Sequence, residues 1–383
     1  MSDVLIVGGG PVGAAAALAL ARAGHGVTVL EARPTASADD RRTLAIAYGS
    51  QQILSGLGAW PAECTPIADI HVSQRGHFGQ TVLTAAEAGV PALGYVLRYN
   101  ALVQAQARAL EAEPAITLVT GATVEAVTPG EEGAEVAWRE QGEVRRRRTP
   151  LAVLADGGRA LTAATFGTPV ERPYTQVALV GQVHTDQPHG GRAYERFTPS
   201  GPVALLPFER HYALVWTGTQ EAVEALIALP EAEFLRRLQD WFGDRAGRFL
   251  RVAARSWFPL TLKVVREVAR PHVLCIGNAA QTMHPVAGQG FNLGLRDAAA
   301  LGAVARGRLP ASLGDPDMLA AYLARRRRDR KVGIGVTHAL VSGFSNDWPL
   351  LPLLRGQALT AMNLWPWSRR ALARLMMYGM GTS

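Results

Sequence analysis

The 383-residue sequence has little cysteine, little lysine and no long apolar run. Its two cysteines, Cys64 and Cys275, lie far apart and form no CxxC pair. This argues against a disulfide framework and a metal cluster, and we expect buried thiols in a reducing compartment. No apolar stretch is long enough to span a bilayer, and the chain opens on a predicted strand, not on a signal peptide. These absences predict a cytoplasmic protein without a bound metal.

Positive charge is supplied almost entirely by arginine, because only two of the 39 basic residues are lysines. The formal net charge is +7 and the sequence pI is about 9.8. Such a balance suits an anionic membrane surface, a nucleic acid or an anionic cofactor. No nucleic-acid-binding module is recognisable, so we expect no nucleic-acid partner. The two arginine runs, over 145–148 and 325–328, are expected to be solvated faces.

The most informative pattern lies at the amino terminus. An apolar strand over 4–7 is followed by a glycine-rich turn, an alanine-rich helix and a second strand over 27–31 that ends in an acid. Such a unit binds the ADP half of a dinucleotide, with the phosphates at the helix N terminus and the acid on a ribose. Gly8 allows the tight turn, Gly10 lets the pyrophosphate approach, and Gly13 lets helix and strand pack closely. The predicted cofactor-binding residues are Gly8, Gly10, Pro11, Val12, Gly13 and Glu31.

The rest of the chain alternates between helical and strand-rich stretches. An amphipathic helix is predicted over 100–111 and an antiparallel meander over 115–148. The stretch over 175–265 contains several predicted strands and a helix over 221–242. It predicts a second sheet inserted into the first domain. The predicted division is 1–70, 92–174 and 266–310 for the first domain, 71–91 and 175–265 for the inserted domain, and 311–383 for a helical region.

Two later stretches complete a constellation with the first glycine turn. One is an apolar strand that ends in Asp156-Gly157, and the other is a strand that ends at Asn278. A Pro-x-x-Gly-x-Gly turn and a long helix follow the second strand. The polar residue can hydrogen-bond a ribityl hydroxyl, and the helix N terminus faces an anion or an electron-rich ring. One glycine motif predicts a dinucleotide, whereas the three together predict FAD.

Two segments, over 42–47 and 277–297, resemble those of the single-component FAD aromatic hydroxylases. The resemblance is strongest to the ubiquinone-biosynthesis branch, and within it to the 2-polyprenyl-6-methoxyphenol hydroxylases, and it extends over nearly the whole chain. It implies an α/β fold: an FAD-binding Rossmann-like (GR2-type) domain with an inserted β-sheet substrate domain and a C-terminal helical tail.

The resemblance also implies roles for individual residues. Arg42 matches the family arginine that contacts FAD, and Arg98 or Asn100 falls where the family has a flavin contact at a helix start. Asp156-Gly157 matches a pair that serves FAD and NAD(P)H, and Asn278 stands where most relatives have an aspartate on the ribityl chain. The resemblance implies further cofactor-binding residues: Pro285, Gly288, Gln289, Gly290 and Asn292. Of these, Gln289 and Asn292 are expected to be turn and cap residues. No residue is predicted to be catalytic.

The implied activity is ring hydroxylation of a polyprenyl phenol in ubiquinone biosynthesis. NAD(P)H reduces FAD, O₂ adds to give a C4a-hydroperoxide, and its distal oxygen goes to the ring. NAD(P)H acts as a transient reductant, because no second GxGxxG motif supplies a Rossmann domain for it. Two alternatives stay open: an FAD-dependent prenyl reductase, and a non-catalytic flavin-fold scaffold in the biosynthetic complex. A flavin halogenase is rejected because Trp365-Pro366-Trp367 is not followed by Ile-Pro.

The tail over 316–383 combines tryptophans with arginines, and two interpretations of it stay open. It is either a packed helical subdomain or a patch that meets a membrane surface. A polyprenylated phenol is lipophilic, so attachment to the inner face of the plasma membrane follows as a hypothesis from the substrate. The implied partners are therefore this phenol, O₂, a membrane surface and other ubiquinone-biosynthesis proteins.

Overall fold

The computed structural model describes residues 3–34, 40, 42–158, 160–283, 289–344 and 351–380. The described helices are α1 (Pro11–Ala21), α2 (Tyr48–Gly56), α3 (Ala85–Ala88), α4 (Tyr99–Glu111), α5 (Ala160–Phe166), α6 (Gln220–Ala228), α7 (Glu231–Phe242), α8 (Gln289–Ala305), α9 (Pro316–Phe344), α10 (Leu351–Leu364) and α11 (Pro366–Tyr378). The described strands are β1 (Val4–Val7), β2 (Val27–Glu31), β3 (Thr43–Ala47), β4 (Thr65–Ile67), β5 (Asp69–Gln74), β6 (Gln80–Thr84), β7 (Gly94–Arg98), β8 (Ile116–Thr120), β9 (Thr123–Thr128), β10 (Ala134–Glu140), β11 (Glu143–Thr149), β12 (Leu151–Leu154), β13 (Val170–Thr185), β14 (Arg192–Phe197), β15 (Val203–Phe208), β16 (His211–Thr219), β17 (Phe249–Val264), β18 (Ala269–Arg270), β19 (Val273–Cys275) and β20 (Gln281–Thr282).

The first sheet has six strands in the order β18-β19-β12-β1-β2-β8. β1 pairs in parallel with β2 and β12, and β12 pairs in parallel with β19. Every residue of β1, β12 and β19 is buried, as expected for parallel strands covered on both faces. The carboxyl ends of these three strands meet at one edge, where ligands of open α/β sheets bind. The predicted α/β fold is confirmed.

Helices α1 and α8 pack against each other on one face of the first sheet. The approach is close at Gly302, where a Cβ atom would lie 2.8 Å from the Cβ of Ala19. The opposite face is covered by β9–β11 and α5, which contribute Trp138 and Phe166 to a second apolar cluster. This double cover fixes where each strand ends, and so where its carboxyl-end residues lie.

The predicted meander over 115–148 is only partly correct. β9, β10 and β11 form an antiparallel sheet with a turn at Gln141-Gly142, where φ is +51° and +87°, as a two-residue hairpin turn requires. β8, however, pairs in parallel with β2 at the edge of the first sheet. An edge strand is partly solvated, so β8 shows a mixed polarity that resembles a meander strand.

The large sheet has eight strands in the order β20-β17-β13-β16-β15-β14-β5-β6. Its pairs are antiparallel except for β5 and β14, which run in parallel. α6 and α7 cover one face, called here the back face, where Trp216 and Leu214 pack against Phe234 and Leu238. The predicted helix over 221–242 is therefore two helices, because Pro230 has no N–H to continue the first.

The other side of the large sheet, called here the front face, turns toward the rest of the molecule. Ala193, Phe208 and Ala213 pack there against Ile67 of β4 and Val96 of β7. β4 and β7 belong to a three-stranded sheet in which β3 pairs with β7. A layer of three strands thus separates part of the front face from helices α1 and α8.

The carboxy-terminal part of the described chain is helical, as predicted. α9 packs on α8, and α10 and α11 pack on β6. The backbones of Gly79 and Gly356 are in contact, since a Cβ at Gly79 would lie 2.3 Å from the carbonyl oxygen of Gly356. No helix in the described ranges is both long enough and apolar enough to cross a bilayer.

Candidate functional site

The glycine-rich turn before α1 has the geometry that the sequence predicts. At Gly8, where φ is +101°, a Cβ atom would lie 2.6 Å from the carbonyl oxygen of Ala155, and at Gly13 it would lie 2.0 Å from the carbonyl oxygen of Gly8. At Gly10, in contrast, no atom lies within 4 Å of the Cβ position. Two glycines are therefore required by packing, and the third borders open space at the helix N terminus, as an approaching pyrophosphate needs.

Glu31 at the end of β2 lies against this turn. Its carboxylate accepts hydrogen bonds from the backbone N–H of Gly9 at 2.7 Å and from the Nε of Arg33 at 2.9 Å. Burial alone would raise the pKa of Glu31, but the hydrogen bonds from Arg33 and Gly9 outweigh it and the pKa is lowered. The group is thus an anion beside the glycine turn, which suits an acceptor for ribose hydroxyls.

Asp156 lies two residues after the end of β12 and next to Gly8. Its Oδ1 accepts hydrogen bonds from the backbone N–H of Gly158 at 3.1 Å and from the hydroxyl of Thr162 at 2.7 Å. Its Oδ2 is buried and has no hydrogen-bond partner among the described residues. The chain then turns through Gly157 and Gly158, with φ of +82° and +79°. A buried carboxylate oxygen with no protein partner is a place where a ligand donor fits.

The turn after β19 closes on the other two motifs. A Cβ at Gly277, where φ is +60°, would lie 2.9 Å from a methyl carbon of Val12, and a Cβ at Gly158 would lie 2.7 Å from the carbonyl oxygen of Asn278. Gly294 of α8 meets Val12 in the same way, with a Cβ distance of 2.8 Å. The structure therefore brings the three predicted stretches together at one edge of the first sheet.

Other predicted contacts occupy different positions around this edge. Asn278 is exposed, and Gly290 in the first turn of α8 borders open space. Gln289 donates a hydrogen bond from Nε2 to the carbonyl oxygen of Met376 at 3.2 Å. Asn292 bridges α8 and β3, because Oδ1 accepts from the N–H of Ala47 at 2.8 Å and Nδ2 donates to the carbonyl of Ala45 at 3.1 Å. Pro285 and Gly288 lie outside the described residues.

Arg42, Arg98 and Asn100 lie near the start of α4. The guanidinium of Arg42 donates to Asp40 at 2.9 Å and stands over the ring of Tyr99, 4.5 Å from its centroid. Arg98 is the residue before α4 and forms an ion pair with Glu209 at 2.6 Å. Asn100 is half-buried in the first turn of α4. The Arg98 side chain therefore points to the large sheet.

A buried ionic network supports the turn after β19, and sequence reasoning missed it. Asp297 accepts hydrogen bonds from the backbone N–H of Gly277 at 3.1 Å, from Gln281 at 3.0 Å and from the guanidinium of Arg326 at 2.7 Å. Arg326 also pairs with Asp329 at 2.6 Å, and Arg296 pairs with Asp329 at 2.7 Å. Burial would raise the pKa of Asp329, but the charges of Arg296 and Arg326 outweigh it and the pKa is lowered.

The network corrects one prediction. Arg326, expected in a solvated run, is 3% exposed, whereas its neighbours Arg325, Arg327 and Arg328 are exposed as predicted. The helical spacing of Arg326 and Asp329 is the only sequence signal for this pair. The position of Asp297 opposite them depends on tertiary packing.

A groove of about 490 Å³ opens at one end of the front face. Its lining includes Arg98, Gln182, His184, His211 and Arg251. The rings of His184 and His211 stack with centroids 5.0 Å apart. Burial first, and the neighbouring His184 second, lower the pKa of His211, which favours its neutral form. Among the described residues, no group of three or more histidine, cysteine or acidic side chains is placed to hold a metal ion.

The described residues fit the ADP half of FAD. The turn at Gly10 leaves space for a pyrophosphate at the N terminus of α1, and Glu31 presents an anionic acceptor. Asp156 keeps one carboxylate oxygen that has no partner among the described residues.

Comparison with known proteins agrees with this geometry. Residues 1–331 match the model of the FAD binding domain family. Ubiquinone hydroxylase UbiL of Rhodospirillum rubrum is 37% identical, with 100% of this chain and 90% of the relative covered. The 3-demethoxyubiquinol 3-hydroxylase of Escherichia coli is 34% identical, with 94% of each chain covered.

Solved structures share the fold at lower identity. p-Nitrophenol 4-monooxygenase PnpA of Pseudomonas putida superposes with a TM-score of 0.79 at 19% identity, over 100% of this chain and 99% of that chain. A variant of HpxO from Klebsiella pneumoniae, solved as a complex with FAD, superposes with a TM-score of 0.75 at 17% identity, over 99% of this chain and 100% of that chain. Together, the glycine turns that meet at the edge of the first sheet and the family match over residues 1–331 show that the chain belongs to the FAD binding domain family, in its branch of flavin-dependent hydroxylases.

Proposed function

We propose that this protein hydroxylates the aromatic ring of a polyprenylated phenol in ubiquinone biosynthesis, with FAD as cofactor and NAD(P)H and O₂ as co-substrates. The observation that carries the proposal is the meeting of three glycine motifs at one edge of the first sheet, beside a sheet whose front face is partly open. Two relatives named ubiquinone hydroxylase and 3-demethoxyubiquinol 3-hydroxylase support the substrate class. Within it, we propose a 2-polyprenyl-6-methoxyphenol.

In the proposed mechanism, FAD supplies the reductive activation of O₂ and the transfer of one oxygen atom to the ring. The protein itself binds and orients the cofactor and shields the site from water. The N–H groups at the N terminus of α1 bind the pyrophosphate, and Glu31 accepts hydrogen bonds from the adenosine ribose. Asn278 presents an amide to the ribityl chain, and Arg42 and Asn100 add contacts near the start of α4. Pro285, Gly288, Gln289 and Gly290 are proposed at the reactive side of the flavin.

We also propose that the units predicted from the sequence are functional domains. The first sheet and its helices hold the cofactor, the large sheet forms the substrate wall, and α9–α11 brace both. Apolar side chains on the substrate wall exclude water, which protects the activated oxygen from wasteful release.

We further propose that the protein works at a membrane surface through the turn between α10 and α11. Leu364, Trp365 and Trp367 are 70%, 56% and 69% exposed there, and the exposed guanidinium group of Arg370 follows. Exposed tryptophans beside an arginine suit the boundary between lipid tails and anionic headgroups. A cytoplasmic protein attached in this way would meet a lipophilic phenol in the bilayer.

Purified protein tests the central proposal. We expect a yellow protein that binds FAD and that converts a short-chain 2-prenyl-6-methoxyphenol, with NADH or NADPH, to a ring-hydroxylated product. With ¹⁸O₂, one labelled atom should enter the product. Product formed without O₂, with a saturated prenyl bond, would instead establish the reductase. Failure to bind FAD at any concentration would overturn the proposal.

Membrane attachment has its own test, which leaves the chemistry aside. In sedimentation with vesicles that contain phosphatidylglycerol, the wild type should pellet, and the double variant Trp365→Ala, Trp367→Ala should stay largely in the supernatant. Leu309→Ala is the matched control, because Leu309 is 75% exposed but lies far along the chain from this turn. Equal pelleting of the double variant and the wild type would contradict the proposed surface. Pelleting with other ubiquinone-biosynthesis proteins, but not with vesicles, would assign the turn to a protein partner.

A further inference from the structure

One carboxyl group lies on the front face of the large sheet without an explanation in the fold. Its neighbours on β14 both point to the back face: the hydroxyl of Tyr194 donates to the carbonyl of Arg245 at 2.7 Å, and the Nε of Arg196 donates to the carbonyl of Trp241 at 3.4 Å. Because side chains alternate along a strand, Glu195 between them points to the front face.

The cross-strand register places Glu195 in a row of aliphatic side chains. The row crosses β5, β14, β15, β16 and β13, and its other members there are Val72, Ala204, Val215 and Val180. Thr81 on β6 and Ser256 on β17 continue the row at its two ends, so Glu195 is its only charged member.

The row is only partly covered by protein, which leaves a space in front of it. All five side chains between β5 and β13 are half-buried, whereas the back-face residues of the same strands, such as Leu205, Leu214 and Leu179, are fully buried. Burial nevertheless raises the pKa of Glu195 to about 7. A side chain that lies deep in the molecule and still keeps accessible surface faces a cavity.

This space lies on the side of the candidate cofactor site. The front face packs on β7 through Val96, β7 pairs with β3, and Asn292 at the start of α8 is hydrogen-bonded to β3. β17, the second strand of the same sheet, pairs with the edge strand β20, which follows the turn at Gly277. Two separate series of contacts, one through β3 and β7 and one through β20 and β17, therefore connect the large sheet to the cofactor site.

Within the part of the chain that the structure describes, Glu195 has no stabilising partner. Among the described residues it forms no hydrogen bond or ion pair, and no nearby charge accounts for its pKa, which is raised by burial alone. A carboxyl group in an apolar environment without a partner is costly for the folded state. Groups of this kind are retained where a ligand completes them.

We infer that Glu195 accepts a hydrogen bond from the ring hydroxyl of the phenol substrate, and so decides which ring carbon faces the reacting oxygen. The aliphatic members of the row hold the ring by apolar contact, which has no preferred direction. A single acceptor on an apolar wall supplies that direction, as in other small-molecule sites. The inference rests on the proposed function and names a residue that touches the substrate.

The test compares two ligands in three variants of the FAD-loaded protein. The ligands are 2-prenyl-6-methoxyphenol and the same compound with the hydroxyl replaced by hydrogen, and binding is read from the change in flavin absorbance. We expect the wild type to prefer the phenol by about tenfold, as for the loss of one partner from a buried hydrogen bond. Glu195→Leu should bind both within about twofold of each other, and Glu195→Gln should keep most of the preference because its amide oxygen still accepts.

Controls make the result specific. Glu143→Leu changes an exposed strand glutamate on β11 and should leave the preference intact. Glu195→Leu removes an unpaired buried carboxyl, so its melting temperature should equal or exceed that of the wild type. Should this variant not fold, Glu195→Met replaces it. With hydroxylation by the wild type established, an unchanged preference in the leucine or methionine variant would overturn the role of Glu195. A wild type that binds FAD but hydroxylates no phenol would overturn the proposed function instead.

Discussion

The first sheet buries both of its faces, whereas the large sheet buries its back face and leaves part of its front face open. At the edge of the first sheet, the glycine turn before α1 is a backbone feature. Gly8, Gly10 and Gly13 lie within one short stretch of sequence, so their positions in the fold follow directly from their spacing along the chain. On the large sheet, the proposed substrate contact depends on side chains that five strands bring into one row. The conformation of each cofactor motif is therefore local in sequence, whereas the proposed substrate contact depends on the register between strands.

The sharpest way to break this comparison is to add the same side chain at two glycines of one turn. Gly13→Val should yield no folded protein, because its Cβ would lie 2.0 Å from the carbonyl oxygen of Gly8. The atom it meets belongs to the backbone of the turn and cannot move aside as the end of a flexible side chain can. Gly10→Val should fold with a near-normal melting temperature and lose FAD binding, because its Cβ position is open in the protein and lies where the pyrophosphate approaches.

Circular dichroism melting and FAD fluorescence titration measure the two effects separately. Gly10→Val with unchanged FAD affinity would contradict the proposed pyrophosphate position. The same variant also addresses the scaffold alternative. A cell that makes ubiquinone normally with this FAD-free protein would show that the fold alone is sufficient.

The two faces of the large sheet should respond differently to truncation. Phe234→Ala on the back face removes a fully buried ring and should cost about 3–5 kcal/mol of unfolding free energy. Val215→Ala on the front face removes two methyl groups that are only half-buried, and should cost about 1 kcal/mol or less. Urea unfolding measures both. Equal losses would mean that the front face is packed as tightly as the back face.

The contribution of the buried ionic network to the free energy of unfolding should depend on pH. Asp329→Asn should lower stability at neutral pH by about 2–3 kcal/mol, because it weakens hydrogen bonds to charged groups. The native pKa of Asp329 lies below its ordinary value of 3.8, so its stabilisation is complete above that pH and is lost as the pH falls below it. The difference between variant and wild type should therefore narrow in acid.

Chemical unfolding at pH 7 and near pH 3 tests this expectation. Asp240→Asn is the control, since Asp240 is exposed on α7 and should change little at either pH. A gap between Asp329→Asn and the wild type that stays constant into acid would show that Asp329 is not held as an anion by Arg296 and Arg326.

Sequence reasoning succeeded where the signal is local. The glycine turn, the Asp156-Gly157 turn and the Gly277 turn carry their own conformational requirements, and their meeting follows from the rule that parallel strands end at one edge. The specific roles of Arg42, Arg98, Asn100 and the residues over 285–292 stay predictions, as do the domain boundaries.

It failed where the partner is distant in sequence. β8 resembles a meander strand because an edge strand is partly solvated, and only its pairing with β2 reveals its place. In the sequence, Arg326 cannot be distinguished from its exposed neighbours. Only the structure shows that Asp297, on another helix, lies opposite it. Glu195 is one of many glutamates in the sequence, and only the register across β14 and β15 puts it in an apolar row.

The two sheets are interleaved along the chain, and this has a consequence for biosynthesis. The first sheet is complete only when β19 joins β12, and the large sheet needs β17 and β20 as well as β5 and β6. When the first 250 residues have been synthesised, each sheet therefore still lacks strands. The nascent chain exposes open strand edges for most of its synthesis, so we expect slow folding and a requirement for chaperones.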